Sequence, residues 1–229
     1  DEPAPVYDPL HAYTCSDPRL TNTIFYNGAS MLNRRVETFE GGKDRANRGL
    51  PQTQTGYYLR KFLGAFEKST NFSNQHHTFM IIRYAEILLN YVEALNEADT
   101  DANKAEIEKY LIEIRSRAGI NPGNDARYGL PTTYTYSDMQ KIIRNERRIE
   151  LAFEEHRFWD IRRWKIAEAV MTQPVKGVKI TRASDLSLPY EYPNVRNSVF
   201  DKSKMYWYPI SRSEMQGNTQ MTQNPGWGY

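Results

Sequence analysis

The densest set of side chains able to move protons lies in residues 144–164, where Glu146, Glu150 and Glu154 recur every four residues. On a helix that spacing places the three carboxylates on one face. Two carboxyls of unequal pKa are what glycoside hydrolysis needs, one as acid and the other as nucleophile or base. The same stretch carries Arg144, Arg147, Arg148, Arg157, Arg162 and Arg163. Guanidinium groups at this density keep carboxylates ionised and leave no acid with a raised pKa. Like charges at i, i+4 also repel unless cations intervene. The pattern therefore predicts an Arg/Glu lock between helices rather than an acid/base pair. Within it, Arg147 is placed to reach Glu150, Arg157 to reach Glu154 and Arg163 to reach Asp160, and the other charges need partners on neighbouring helices.

Other chemistries find little support. The histidines are His11, His76, His77 and His156, with no H-E-x-x-H among them. A metal or base role for His77 is weighed against the commoner case of adjacent loop histidines in water, and the latter is preferred. No G-x-S-x-G is present, and Gly41-Gly42-Lys43-Asp44 lacks the full phosphate-loop pattern. The single Cys15 excludes an internal disulfide framework or a cysteine zinc cage. No catalytic residue, metal ligand or cofactor is predicted, and the chain reads as a non-enzyme.

Aromatic residues are the better lead. The 229-residue chain has 16 Tyr, 9 Phe and 4 Trp, although only 39% of it is hydrophobic. Tyr7, Tyr13, Phe25, Tyr26, Phe72, Tyr128, Tyr134 and Tyr136 lie outside any helical stripe. Aromatic rings stack on the C–H faces of sugars, while nearby Asn, Gln, Asp and Arg bridge hydroxyl pairs. The plainer alternative is that these rings pin loops onto helices. A net charge of +2 argues against nucleic acid as the main partner. No run approaches the ~20 apolar residues of a membrane-spanning helix. Asp1-Glu2-Pro3 opens the chain without a Met, a basic region or an apolar region. A mature form or a piece of a longer protein is the expectation from this.

The elements that must position these residues divide the sequence. Residues 1–80 are rich in Gly, Asn, Thr and Pro and read as loops and short strands leaning on a helical core; residues 57–63 fit either a strand or a helical turn. Ile81, Tyr84, Ala85, Leu88, Tyr91, Val92 and Leu95 then form a helical stripe. A turn at 99–103 precedes a second helix with Ile107, Leu111, Ile114 and Ala118, ended by Gly119 and Pro122. This is a first helical hairpin, 81–120. After a loop at 121–136, Ser137 and Gln140 have capping-box spacing, so a helix should begin at Asp138. Its apolar face is Met139, Ile142, Ile143, Ile149 and Phe153, and the pattern resumes through Phe158, Ile161, Trp164 and Ala167 before stopping at Pro174. A second hairpin is thus expected over 137–173, followed by an irregular tail, 174–229. Tyr84, Tyr91, Phe153, Phe158, Trp159 and Trp164 are assigned to packing. The expected fold is mainly α, with tetratricopeptide-like helical hairpins, long irregular loops and a few short strands.

Several of these segments resemble one family. Arg83-Tyr84-Ala85-Glu86 with Leu88-Leu89-Asn90-Tyr91, the 144–164 element, and Tyr208-Pro209-Ile210 followed by Gln223-Asn224-Pro225-Gly226-Trp227 are similar to signature segments of the SusD/RagB family. Asp17-Pro18-Arg19-Leu20 and Gly56-Tyr57-Tyr58 with Lys61 resemble two more, in the same order. The chain departs at Glu155, where the family often has Gly, and at Ser211, where it often has Pro. The resemblance implies the C-terminal portion of an outward-facing outer-membrane lipoprotein of Bacteroidetes-type bacteria. Such proteins bind glycans or other nutrients and cap a TonB-dependent SusC-like transporter. The lipid anchor and first hairpins would precede Asp1, and Cys15 matches no lipobox. No contact residue transfers by motif, so Tyr7, Tyr13 and Tyr26 are nominated as ligand-binding by position alone, beside the Asp17-Pro18-Arg19 element. The rival reading is a tetratricopeptide-like scaffold that holds a peptide partner.

Overall fold

The computed structural model describes residues 13, 17–45, 52–64, 76, 78–182 and 188–228. Its helical part rests on α2 (Tyr84–Ala98), α3 (Lys104–Arg117) and α4 (Tyr136–Glu150), with α2 packed against both others. Leu88, Leu89 and Val92 of α2 meet Ile107, Leu111 and Ile114 of α3 and Met139 and Ile143 of α4 in one buried cluster. Spacings of three and four residues put each set on a single helix face, and each fully buried aliphatic side chain contributes roughly 1.5–3 kcal/mol. The stripe on α2 is narrower than its periodicity predicts. Tyr84 and Tyr91 are 66% and 41% exposed, and Ile81 is 81% exposed ahead of the helix. Periodicity identifies an apolar side but not whether another element covers all of it.

The caps explain the boundaries. At the end of α3, Gly119 takes φ +80°, its N–H donates to Ser116 O, and Ile120 N–H donates to Arg115 O. That left-handed cap is the one expected from the sequence. The start of α4 lies two residues before the expected one. Thr135 is the N-cap, its Oγ1 accepting from Asp138 N–H while the Asp138 carboxylate accepts from Thr135 N–H. Thr135 and Asp138 satisfy the same spacing rule as Ser137 and Gln140 and win the contest.

Beyond α4 the chain turns through 151–155 into α5 (His156–Arg163) and α6 (Ala167–Met171). Glu155 makes the break with φ +67°, in the left-handed region where its Cβ is unfavourable. Arg147 Nε donates to Asp160 Oδ2 at 3.0 Å and ties α5 back to α4. Leading into this assembly is a short helix, α1 (Arg19–Thr23).

The rest is loops braced by two-stranded antiparallel pairs: β1 (Ile24–Phe25) with β4 (Tyr58–Leu59), and β2 (Ser30–Met31) with β3 (Arg34–Arg35). In the tail, β5 (Val175–Lys176) pairs with β8 (Asn194–Arg196), and β6 (Lys179–Ile180) with β7 (Tyr190–Glu191). The early loops dock onto the late ribbons through Val178 N–H to Thr55 O (2.8 Å) and Glu40 N–H to Ile180 O (2.7 Å). Gly56 is required at this joint: at φ +79°, a Cβ would stand 2.5 Å from Val178 O. A last helix, α7 (Arg212–Gly217), precedes a clasp in which the Gln223 amide bonds both N–H and O of Ile210, and Asn224 Nδ2 donates to Tyr208 O at 2.7 Å.

Candidate functional site

The three glutamates spaced four apart in 144–164 are buried, with 1%, 4% and 5% exposure for Glu146, Glu150 and Glu154. Five cations from four segments converge on them. Arg19 of α1 grips Asp17 with Nε and Nη2 and donates from Nη1 to Glu146 (2.6 Å) and Glu150 (2.9 Å). Arg115 of α3 donates to Glu146 at 2.8 Å, and Arg117 reaches Glu150. Arg83, the N-cap residue of α2, spans Glu150 (2.7 Å) and Glu154 (2.6 Å). Lys61 bonds Glu154 and donates to the carbonyls of Glu150 and Ala152, closing the C-terminal end of α4 where cations are favoured.

Burial alone would raise the Glu150 carboxyl. Hydrogen bonds from Arg83 and Arg19, with the charges of Arg83 and Arg117, outweigh it and hold the group below the usual carboxylate range. Glu154 is likewise pushed up by burial and held down overall by Arg83 and Lys61. Neither carboxyl is a proton donor near neutrality, so the cluster is a lock. Its pairing differs from expectation in two places. Arg147 bonds Asp160 and Asn90 Oδ1 instead of Glu150, and Glu154 is held by Lys61 and Arg83 instead of Arg157. The i, i+3 pair of Arg163 with Asp160 forms as expected, at 2.9 Å, and Arg163 also bonds both oxygens of Glu93.

The loop tyrosines form a different kind of site. The rings of Tyr13 and Tyr26 stack with centroids 4.1 Å apart and planes 24° from parallel. Tyr57 meets Tyr13 edge-on at 6.4 Å and hydroxyl to hydroxyl at 3.3 Å, and Tyr190 of β7 lies 6.4 Å from Tyr13. Burial pushes the Tyr13 phenol far above its ordinary range, and its bond to Tyr57 adds to this. Tyr57 and Tyr190 were not among the nominated residues. Tyr57 sits in a recognisable element, whereas nothing in the local sequence places Tyr190 beside Tyr13. Tyr7, Phe72, His11 and His77 lie outside the described residues.

The other loop aromatics have structural work. Phe25 is buried with Ala29 and Val36, Tyr134 donates to Glu108 at 2.8 Å, and Tyr136 donates to Glu97 at 2.6 Å. Conversely, not all helical aromatics are packed. Phe153 and Trp159 are 54% and 58% exposed, so their assignment to the core is corrected along with that of Tyr84 and Tyr91. Trp159 and Tyr208 flank Phe158, whose ring carries the Arg162 guanidinium 3.5 Å from its centre. Among the described residues, no cluster of three His, Cys, Asp or Glu side chains is arranged to hold a metal ion.

Comparison with known proteins places this architecture. The family model described as the SusD family matches residues 1–227. The chain belongs to the SusD family. SusD-like protein P2 of Formosa agariphila is 32% identical over 162 residues, which is 70% of this chain and 27% of that protein. SusD-like protein P38 of the same organism is 31% identical over 102 residues, 43% of this chain and 19% of the relative. The crystal structure of a SusD-like protein from Bacteroides fragilis superposes with a TM-score of 0.75 at 26% identity, covering 94% of this chain and 40% of that one. A SusD homolog from Bacteroides thetaiotaomicron shares the fold, with a TM-score of 0.60 at 24% identity, covering 92% of this chain and 41% of that one. The chain thus spans well under half the length of these relatives. It has the mainly α, tetratricopeptide-like fold of the SusD family. The SusD-like segments Asp17-Pro18-Arg19, Lys61, Arg83 and 144–164 are the ones that meet in the carboxylate lock.

Proposed function

We propose that this SusD-family chain is the C-terminal portion of a non-catalytic cell-surface protein that binds glycan or another nutrient. In this reading it delivers oligosaccharide to a TonB-dependent SusC-like transporter in the outer membrane and is lipid-anchored through a region preceding the chain. The family match over residues 1–227 carries the reading. A preformed aromatic and polar surface holds the sugar, and no bond is made or broken. Tyr7, Tyr13 and Tyr26 make ligand contacts, with Tyr57 and Tyr190 backing the Tyr13 ring. The carboxylates of Glu150 and Glu154, held down by their arginine and lysine partners, supply no acid, in keeping with a binding role.

Isothermal titration of the purified chain with oligosaccharides tests this. Binding that weakens when Tyr7, Tyr13 and Tyr26 are all replaced by Ala is the expected result, and unchanged affinity removes the tyrosine assignment. Release of reducing ends from a polysaccharide, abolished by Glu146→Gln, would overturn the non-catalytic reading. Co-purification with a TonB-dependent transporter from outer membranes tests delivery. One observation favours the scaffold alternative: Tyr84, Ile87 and Tyr91 are exposed along one side of α2. That alternative requires Tyr84→Ser with Tyr91→Ser to abolish capture of a peptide partner while sugar binding is absent.

A further inference from the structure

A cleft of about 680 Å³ opens between residues 38–45 and the late ribbons, within the size range of small-molecule sites. Its polar lining is Thr38, Glu40, Arg45, Gln54 and Lys179. Among the described residues, the side chains of Glu40 and Arg45 have no ion-pair or hydrogen-bond partner, although they carry opposite charges in one cleft. Thr38 is only 8% exposed, and its Oγ1 is buried with no hydrogen-bond partner. Buried hydroxyls are rarely left so, because the lost hydration is uncompensated. The cleft adjoins the tyrosine cluster through Asn27, whose Oδ1 accepts from Thr38 N–H at 3.1 Å and whose amide lies against the Tyr190 phenol. The bond from Glu40 N–H to Ile180 O and that from Val178 N–H to Thr55 O hold its two walls together, so the space is preformed.

The lining selects a class of ligand. An anion meets Glu40, and a cation meets Arg45 and Lys179. A neutral polyol satisfies both signs, since a carboxylate accepts from two adjacent hydroxyls and a guanidinium donates to two oxygens. We propose that this cleft is a subsite for one neutral sugar unit, with Glu40 and Arg45 bracketing its hydroxyls and Thr38 in the wall behind them. The Tyr13/Tyr26 stack is then the adjoining apolar platform. The assignment rests on the glycan-binding reading above and adds a location and a charge class to it.

The test uses the full chain and five probes by isothermal titration: maltohexaose, cellohexaose, xylohexaose, mannohexaose and the acidic hexagalacturonate. At least one neutral hexamer should bind, and Glu40→Gln and Arg45→Met should each weaken it by about 10- to 100-fold, the range for hydrogen bonds to charged groups. Trp159→Ala, far along the chain in α5, should leave the affinity within about two-fold, the level of a surface change that touches no ligand. Matching thermal melts of the variants exclude misfolding as the cause. If a neutral hexamer binds and both cleft variants bind it equally well, the subsite is wrong and glycan binding stands. If hexagalacturonate binds more tightly than every neutral probe, the charge class is wrong. If none of the five binds, the glycan reading falls and the subsite with it.

Discussion

At the C-terminal end of α4, Glu146, Glu150 and Glu154 meet Arg19, Lys61, Arg83, Arg115 and Arg117, and every carboxylate is bonded. In the cleft between early loops and late ribbons, Glu40 and Arg45 line one space, and neither side chain has a partner among the described residues. The first arrangement fixes segments far apart in sequence, because a buried charge without its partner is strongly unfavourable. The second leaves two charged side chains to water, which a ligand can displace without breaking a protein contact. Density of charge in the sequence therefore marks the locked region: the crowded helix is scaffold, and the sparse loop is open.

The sharpest way to break this comparison is to truncate one glutamate in each region. Glu150→Ala leaves Arg19, Arg83 and Arg117 facing each other without their shared anion. It should cost about 3–5 kcal/mol, seen as a lower urea midpoint at unchanged slope. Glu40→Ala, at an exposed position, should stay within about 0.5 kcal/mol. Equal losses would mean that the two regions are not different in kind.

Acid titration separates them next. Glu150 and Glu154 sit below the ordinary carboxylate value of 4.5 in the folded chain, so the unfolded chain takes up protons first as pH falls. The stability they contribute is complete above about pH 4.5 and is lost progressively below it, as the pH falls through their folded values. Glu93 and Glu108, each paired with an arginine and also lowered, act in the same direction. Urea midpoints should be nearly flat from pH 7 to 5 and drop between pH 4 and 3. A flat profile to pH 3 would remove the lock from the stability of the fold.

The contrast also explains what the sequence could and could not disclose. The α2–α3 hairpin was legible because Leu88, Val92, Ile107, Leu111 and Ile114 repeat at helical spacing and Gly119 ends the second helix. The existence of an Arg/Glu lock was legible from charge density, yet its partners were not. Arg19, Lys61 and Arg83 lie 67 to 131 residues from the glutamates they hold, and no local rule spans that distance. Tyr13 and Tyr26 could be nominated by position, whereas Tyr190 joins them only through the docking of the late ribbons. Exposure of Tyr84, Phe153 and Trp159 escaped the sequence for another reason: a helical period is the same whether or not a neighbour covers it.

Inside the cleft, Thr38→Val sharpens the comparison from the open side. The substitution keeps the β-branched shape and replaces a hydroxyl that has no partner with a methyl. Stability should rise by about 1–2 kcal/mol, measured as a higher melting temperature. Sugar affinity should stay within about two-fold in the same variant, because the hydroxyl is buried behind the cleft wall. A loss of stability would show that the hydroxyl is already satisfied.

A smaller gain belongs to the scaffold, at Glu155. Its φ of +67° starts α5 from the left-handed region, where a Cβ crowds the backbone by roughly 1–2 kcal/mol. The turn it makes follows directly on Glu154, which must point back to Lys61 and Arg83. Glycine accepts this conformation without strain but loses more entropy on folding, which offsets part of the gain. Glu155→Gly should therefore stabilise the chain by about 0.5–1 kcal/mol, read from the urea midpoint. It should leave oligosaccharide affinity unchanged, because nothing in the loop–ribbon cleft depends on it. A gain that vanished in a Glu154→Gln background would show that the strain at Glu155 is held in place by the lock itself, and that the two neighbouring residues act as one device.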